Sequence, residues 1–407
     1  MGSEESHDAF PNLKNGTYMF QASGLENMYH DFPCLENGSY MFSDVEGLKN
    51  IDYKNEGKWM KEGFDSLKNV YLMFAGTKIT SFYRDLPVLE DGSQMFYGME
   101  TLQFIDDEWE DSKTENGDRL GRVIGYTYIK VGSEMFAGTK IKSFYRNLPN
   151  LEVASGMFRN CSELAHFKNE NMNKIKVVDW CWEGCSKMTA FYSYMPSLET
   201  LPSTAFDGCN QLITFYCGLP SLKSGVSAFA GKDSLINFYS DLSSMTMGQS
   251  MFSGCSGLVF FYSDLPVLTD GSQMFNGCSS LENFYTDLPS LTTATGMFTD
   301  CTSLMGFYGN MPSLQDGTEM FYTCSALQTF ESKLTSLLEA QKMFNNCHNL
   351  EKCNTDLPSI LDTTEMFKGC EKLKFFHAYL DNATTTVSMF ENCTALSDVE
   401  FRSLSKV

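Results

Sequence analysis

The chain has 407 residues, 51 of them acidic against 30 basic, for a net charge of −21 and a pI near 4.6. Such a charge repels phosphate backbones and anionic bilayers, which argues against nucleic acid and acidic lipid as partners. No run of about eighteen apolar residues occurs, so direct membrane insertion by a helix is not expected.

The opening "MGSEESHDAF" is polar and acidic, without the basic flank and apolar stretch of a secretory signal. Residues 1–9 are read as a tail. From residue 10 onward the chain repeats itself, and the phenylalanine of a Met-Phe pair serves as an anchor. Anchors fall at Phe20, Phe42, Phe74, Phe96, Phe136, Phe158 and Trp182, spaced by 22 or 24 residues apart from two longer gaps. From Phe206 they recur at 229, 252, 275, 298, 321, 344, 367 and 390, eight steps of 23 residues. Fixed-period repetition is the signature of a stacked array. The expected organisation is therefore one solenoid over 1–407. Its regular part is 206–407, and its less regular part, 10–205, carries insertions at 52–63 and 106–123.

Counting from the anchor defines the unit. Three residues on stands a cysteine in ten repeats, such as Cys255, Cys278 and Cys301, and six on an apolar residue such as Leu258 or Leu281, taken as phase zero. Phase three is aromatic or aliphatic (Phe215, Phe238, Phe261, Phe284, Phe307) and phase five small (Ser240, Ser263, Thr286, Gly309). Phase eight holds ten of the eleven prolines. Phases three to five are predicted to form a short strand, because alternate side chains must face opposite ways. Proline cannot donate to a ladder and closes that strand. Glycine near phase thirteen (Gly248, Gly271, Gly317) is expected to supply a positive φ in a turn. The Met-Phe pair then returns behind the strands, and neighbouring units must stack to bury it.

With leucine, phenylalanine and cysteine at phases zero, seventeen and twenty, the unit resembles the BspA-like class of leucine-rich repeats, from about Phe10 to Phe401. A "FYxDLP" segment replaces the commoner isoleucine-x-isoleucine-proline, and Met-Phe largely replaces Ala-Phe. The resemblance implies a right-handed solenoid of about seventeen units, with a parallel β-sheet on the concave face and turns or short helices on the convex side. It also implies adhesion or ligand capture on a cell surface as a class expectation.

Ten of the fourteen cysteines share one phase, so a column of small buried thiols is expected rather than disulfides or a metal site. On the outer side of the strands, phase four reads Tyr192, Tyr216, Tyr239, Tyr262, Tyr285 and Tyr308, preceded by Tyr29, Tyr83 and Tyr145. Phase six is often acidic, as in Asp241, Asp264 and Asp287. The tyrosines either staple adjacent strands or present rigid amphipathic area to a ligand, with the aspartates setting charge preference. Strand stapling alone does not explain why phase four then changes to Glu331, Asn354, His377 and Glu400. A calcium column along the aspartates is a further alternative, although one carboxylate per layer falls short of the six to eight oxygens calcium takes. No cofactor is expected.

The two insertions enter just after the strand and carry Trp59 and Trp109, a residue type enriched in binding hot spots. The alternative is that each indole packs down on the rim. The five histidines fall in different repeats, and no phosphate loop, metalloprotease motif or nucleophile elbow occurs. The expectation is thus a non-catalytic scaffold, a surface adhesin or recognition protein. It would bind a protein or glycan through the Tyr/Asp face (Tyr192, Tyr216, Tyr239, Tyr262, Tyr285, Tyr308, Asp241, Asp264, Asp287) or through Trp59 and Trp109. A structural or receptor-binding part of a larger assembly such as a virion is the rival, and a hydrolase the third reading. Neither end shows a polar cap, so end-to-end or neighbouring-domain contact is expected there.

Overall fold

The computed structural model describes residues 10–52, 54–55, 58–59, 63–105 and 126–402. Its chain forms two compact units, Met1–Leu198 with Thr204–Leu212, and Glu199–Ser203 with Ile213–Val407. Unit 1 contains β1 (Lys54–Asn55), β2 (Lys58–Trp59), β3 (Ser143–Phe144), β4 (His166–Asn169) and β5 (Ala190–Tyr194). Unit 2 contains β6 (Thr214–Gly218), β7 (Asn237–Asp241), β8 (Phe260–Tyr262), β9 (Asn283–Phe284), β10 (Gly306–Phe307), β11 (Thr329–Phe330), β12 (Lys352–Cys353), β13 (Phe375–Tyr379) and β14 (Asp398–Arg402).

Within unit 1, β3, β4 and β5 pair in parallel, each displaced by one repeat, as in Phe144 opposite Phe167 and Phe167 opposite Phe191. Within unit 2, β6–β7–β8 and β9 through β14 do the same. Each unit is therefore a parallel β-solenoid. The expected helical option is not taken, since the side opposite the strands consists of turns among the described residues. Among the described residues, the turns that carry a ladder strand number about a dozen, fewer than the seventeen units expected. Elsewhere the same phase forms only isolated bridges, such as Asn27 with Asn50 and Ser81 with Phe104.

Burial follows the phases. The anchor rings stack on one another along the array, Phe275 on Phe252 at 5.5 Å and on Phe298 at 5.3 Å between centroids. The phase-three rings form a second column, Phe284 on Phe307 at 5.5 Å. The two columns meet edge to face, as in Phe275 with Phe284 at 66°. Such pairs contribute about 0.5–1.5 kcal/mol each beyond the area they bury. The cysteines form the expected internal column, and all fourteen are free thiols. Each column thiol donates to the anchor carbonyl of the preceding turn, Cys301 Sγ to Phe275 O at 3.1 Å and Cys324 Sγ to Phe298 O at 3.0 Å. Burial pushes the Cys255 thiol up to about 12, and those of Cys278, Cys324 and Cys347 well above the ordinary range. These thiols are poor nucleophiles.

One reading of the glycines is corrected. Gly248, Gly271 and Gly317 do not adopt positive φ. They are needed for close approach instead: an added Cβ at Gly248 would lie 3.0 Å from Met274 Sδ, and one at Gly271 3.1 Å from Met297 Sδ. The left-handed residues stand at phases fifteen and nineteen, as in Gln273 (φ 56°) and Gly277 (φ 73°). Asp270, at phase twelve, prepares that turn by accepting the Ser272 N–H at 2.9 Å.

The first insertion departs after Ile51 and Asp52, and its β1 and β2 pair antiparallel, Lys54 opposite Trp59. At this point the ladder is rewired. In regular turns a phase-three carbonyl accepts the phase-four N–H of the next turn, as Phe284 O does from Tyr308. Here the Tyr83 N–H donates to the Asp52 carboxylate at 3.2 Å, and Arg84 Nη2 supplies Ile51 O at 3.1 Å. Arg84 also donates to Asp31 Oδ1 at 2.7 Å, and Ser81 donates to Asp52 at 2.9 Å. The second insertion repeats the device. Arg146 Nε donates to Ile105 O at 2.8 Å, its Nη1 reaches Asp85 at 3.4 Å, and its guanidinium lies 4.5 Å from the Tyr126 ring centre. Both arginines are buried at phase five, where most turns of unit 2 hold small residues such as Ser240 and Thr286. Tyr83 departs from the expected outward column, for it is buried in the turn that meets this rewired junction.

Burial raises the Asp52 carboxyl to about 6, against the lowering effects of Ser81, the Tyr83 N–H, Arg84 and Arg146. A folded value above the unfolded one of about 3.9 means that this group's contribution is full below the unfolded value. It is lost as pH rises through the folded value of about 6. Chemical denaturation between about pH 4 and 7 is expected to give a flatter stability profile for Asp52→Asn than for the parent chain. Parallel profiles would show that Asp52 titrates normally.

Candidate ligand-binding face

The outer face of unit 2 is built by strand alternation. With Phe215, Phe238 and Phe284 buried at phase three, the phase-four tyrosines beside them must point out. Tyr216, Tyr262, Tyr285 and Tyr308 are exposed and Tyr239 half-buried. Tyr239 and Tyr262 stack at 4.9 Å and 9°, and Tyr285 and Tyr308 at 5.0 Å and 5°. Tyr216 lies 6.1 Å from Tyr239, and Phe260 flanks Tyr262 at 6.1 Å. The tyrosines thus staple successive turns and also leave a row of phenols at the surface.

The aspartates of phase six are exposed, and two serve the backbone. Asp241 accepts the Ser243 N–H at 3.0 Å, and Asp287 accepts the Asn310 N–H at 2.9 Å and its side-chain amide at 3.1 Å. Asp264 is exposed on the same face. No group of three or more His, Cys, Asp or Glu side chains suited to a metal ion occurs among the described residues.

Tyr192 belongs to unit 1, where it is exposed on β5. It lines a shallow hollow with Tyr145, His166 and Lys168, because Lys168 holds phase four between two tyrosines. Trp59 lies on β2, and Trp109 lies outside the described residues. Sequence reasoning passed over Arg84 and Arg146. The signal was present, since arginine occupies phase five in the "FYR" turns that follow the two insertions.

The repeat length, the parallel one-turn offset and the inward Leu/Phe/Cys columns define a leucine-rich-repeat-type solenoid. The family model for the BspA type Leucine rich repeat region matches residues 129–259, 223–328 and 313–407, and the chain belongs to that family. Leucine-rich repeat proteins of this kind are generally non-enzymatic binding scaffolds. Among solved structures, the chain is similar to a leucine-rich repeat protein from Bacteroides ovatus, with 17% identity over 96% of this chain and 88% of that one and a TM-score of 0.55. It is more distantly similar to a leucine rich cell surface protein from Faecalibacterium prausnitzii, with 16% identity, 87% of each chain and a TM-score of 0.31. No curated protein matches it. Among the described residues, no helix is long and apolar enough to cross a membrane.

Proposed function

We propose that this protein is a surface adhesin or recognition protein that captures a protein or glycan ligand on the tyrosine face of unit 2. The observation that carries this reading is the run of outward phenols at 216, 239, 262, 285 and 308. Tyrosine offers large contact area with few rotamers to freeze, and the stacked pairs are already ordered before a ligand arrives. The flanking Asp264 and Asp287 and the net charge of −21 favour neutral or basic partners over polyanions. Family membership supports the surface setting.

The test is a binding screen of the full chain against host matrix proteins and glycans, repeated with Tyr239, Tyr262 and Tyr285 changed to serine. The expected result is loss of binding with an unchanged circular dichroism spectrum. Full retention of binding by the triple variant would remove the tyrosine face and direct attention to Trp59 and Trp109.

A further inference from the structure

The tyrosine column of unit 2 ends at Tyr308, and the next turn leaves a gap of one ring. Tyr285 covers one face of Tyr308 at 5.0 Å. The other side of Tyr308 borders a hollow of about 220 Å³ lined by Phe307, Tyr308, Thr329, Glu331 and Ser332. That volume is below the range of drug-sized pockets and suits a single six-membered ring.

Two features keep the hollow open and oriented. At phase four of this turn stands Glu331 instead of tyrosine, and Lys352 of the following turn pairs with its carboxylate at 2.9 Å. The carboxylate is thereby held toward Lys352 and not laid over the Tyr308 ring. The Tyr308 ring itself lies against its own strand, because a Cβ at Gly306 would come within 2.6 Å of its Cζ. The other described strands of unit 2 carry a residue with a Cβ at this phase, such as Asn237, Asn283 or Thr329, so the glycine is what lets the phenol lie down. Ser332 at the base of the hollow is buried, and its Oγ, like those of Ser263 and Thr355 at the same phase, is turned inward and out of a ligand's reach.

We infer that the hollow beside Tyr308 is a subsite for one uncharged pyranose ring. Its face would stack on the Tyr308 ring, with its hydroxyls donating to Glu331 and bonding to Thr329. The chemistry selects this class. An aromatic face with carboxylate, hydroxyl and phenol groups around it offers mainly acceptors, which suits a ligand rich in hydroxyl donors over an apolar ring face. Glu331 is the charged side chain that lines the hollow, its partner Lys352 standing outside the lining, so neutral sugars are favoured over anionic ones. This inference rests on the tyrosine face being the binding surface, and it names the ligand class for that face.

The experiment is saturation-transfer NMR on the full chain with methyl β-D-glucopyranoside, methyl β-D-galactopyranoside and N-acetylglucosamine, with N-acetylneuraminic acid as the anionic comparison. Transfer to at least one neutral sugar at millimolar concentration is expected, with the anionic sugar at least tenfold weaker. Glu331→Tyr should continue the stacked column, fill the hollow and abolish transfer with no loss of thermal stability. Tyr239→Ser/Tyr262→Ser should keep sugar binding even where it loses a macromolecular ligand. Absence of transfer to any neutral sugar, equal binding of the anionic one, or undiminished binding by folded Glu331→Tyr would overturn the subsite. If macromolecular binding still depends on Tyr239, Tyr262 and Tyr285 in that case, the broader reading stands and only the pyranose assignment falls.

Discussion

Arg84→Met is expected to destabilise the protein by about 3–5 kcal/mol, the range for removing one partner of a buried charge pair. The guanidinium is buried, lies 3.6 Å from Asp52 through Nε and 2.7 Å from Asp31 through Nη1, and supplies Ile51 O. Methionine matches its bulk but leaves Asp52 buried without its nearest cation and the carbonyl without this donor. Arg84→Lys should recover only part of the loss, because a single ammonium cannot reach all three acceptors as a planar fork does. Combining Arg84→Met with Asp52→Asn should cost less than the sum of the two changes, since they remove opposite ends of one interaction. Denaturant unfolding of the parent and the four variants measures this. Strict additivity, or a loss below about 1 kcal/mol for Arg84→Met, would mean that the junction tolerates an apolar side chain.

Phe275→Ala should cost about 3–5 kcal/mol, at the upper end of core truncations. The ring is fully buried and contacts Phe252 and Phe298 along the anchor column and Phe261 and Phe284 at its edges. A one-dimensional stack has few ways to close such a gap, because each turn touches only its neighbours and the flanking rings are fixed by their own repeats. The damage should remain local. Hydrogen exchange is expected to accelerate most in the turns around residues 250–300, with termini little changed. A uniform increase along unit 2 would indicate that it unfolds as a single cooperative block.

The phases most plainly legible in the sequence are those where one requirement recurs in every turn. Phe275 and Cys278 are buried, and Tyr262 and Tyr285 exposed, because strand alternation and stacking act alike at each repeat. The glycines at phase thirteen were misread because two physical causes produce the same residue. Gly248 is small to admit the Met274 thioether, whereas the positive φ falls on Ser250 and Gly254. Arg84 and Arg146 stand at the inward phase five, but the partners that make burial of an arginine tolerable are not marked in their own turns. Their role depends on carbonyls that lost ladder partners at the insertions, 33 and 41 residues earlier. The end of the tyrosine column was visible as a change of residue type after Tyr308. Its consequence, an open ring-sized space, required the ring orientation that Gly306 permits.

Thiol accessibility tests the register most directly. In the native protein a water-soluble disulfide reagent should leave the buried column cysteines from Cys161 to Cys370 unmodified, with slow labelling confined to the half-buried Cys34 and Cys393. Cysteines introduced by Tyr262→Cys and Tyr285→Cys should react at rates near those of a free thiol, and denaturant should expose all the native ones. Rapid modification of Cys278, Cys301 or Cys324 in the folded chain, or protection at 262 and 285, would contradict the assignment of inner and outer faces.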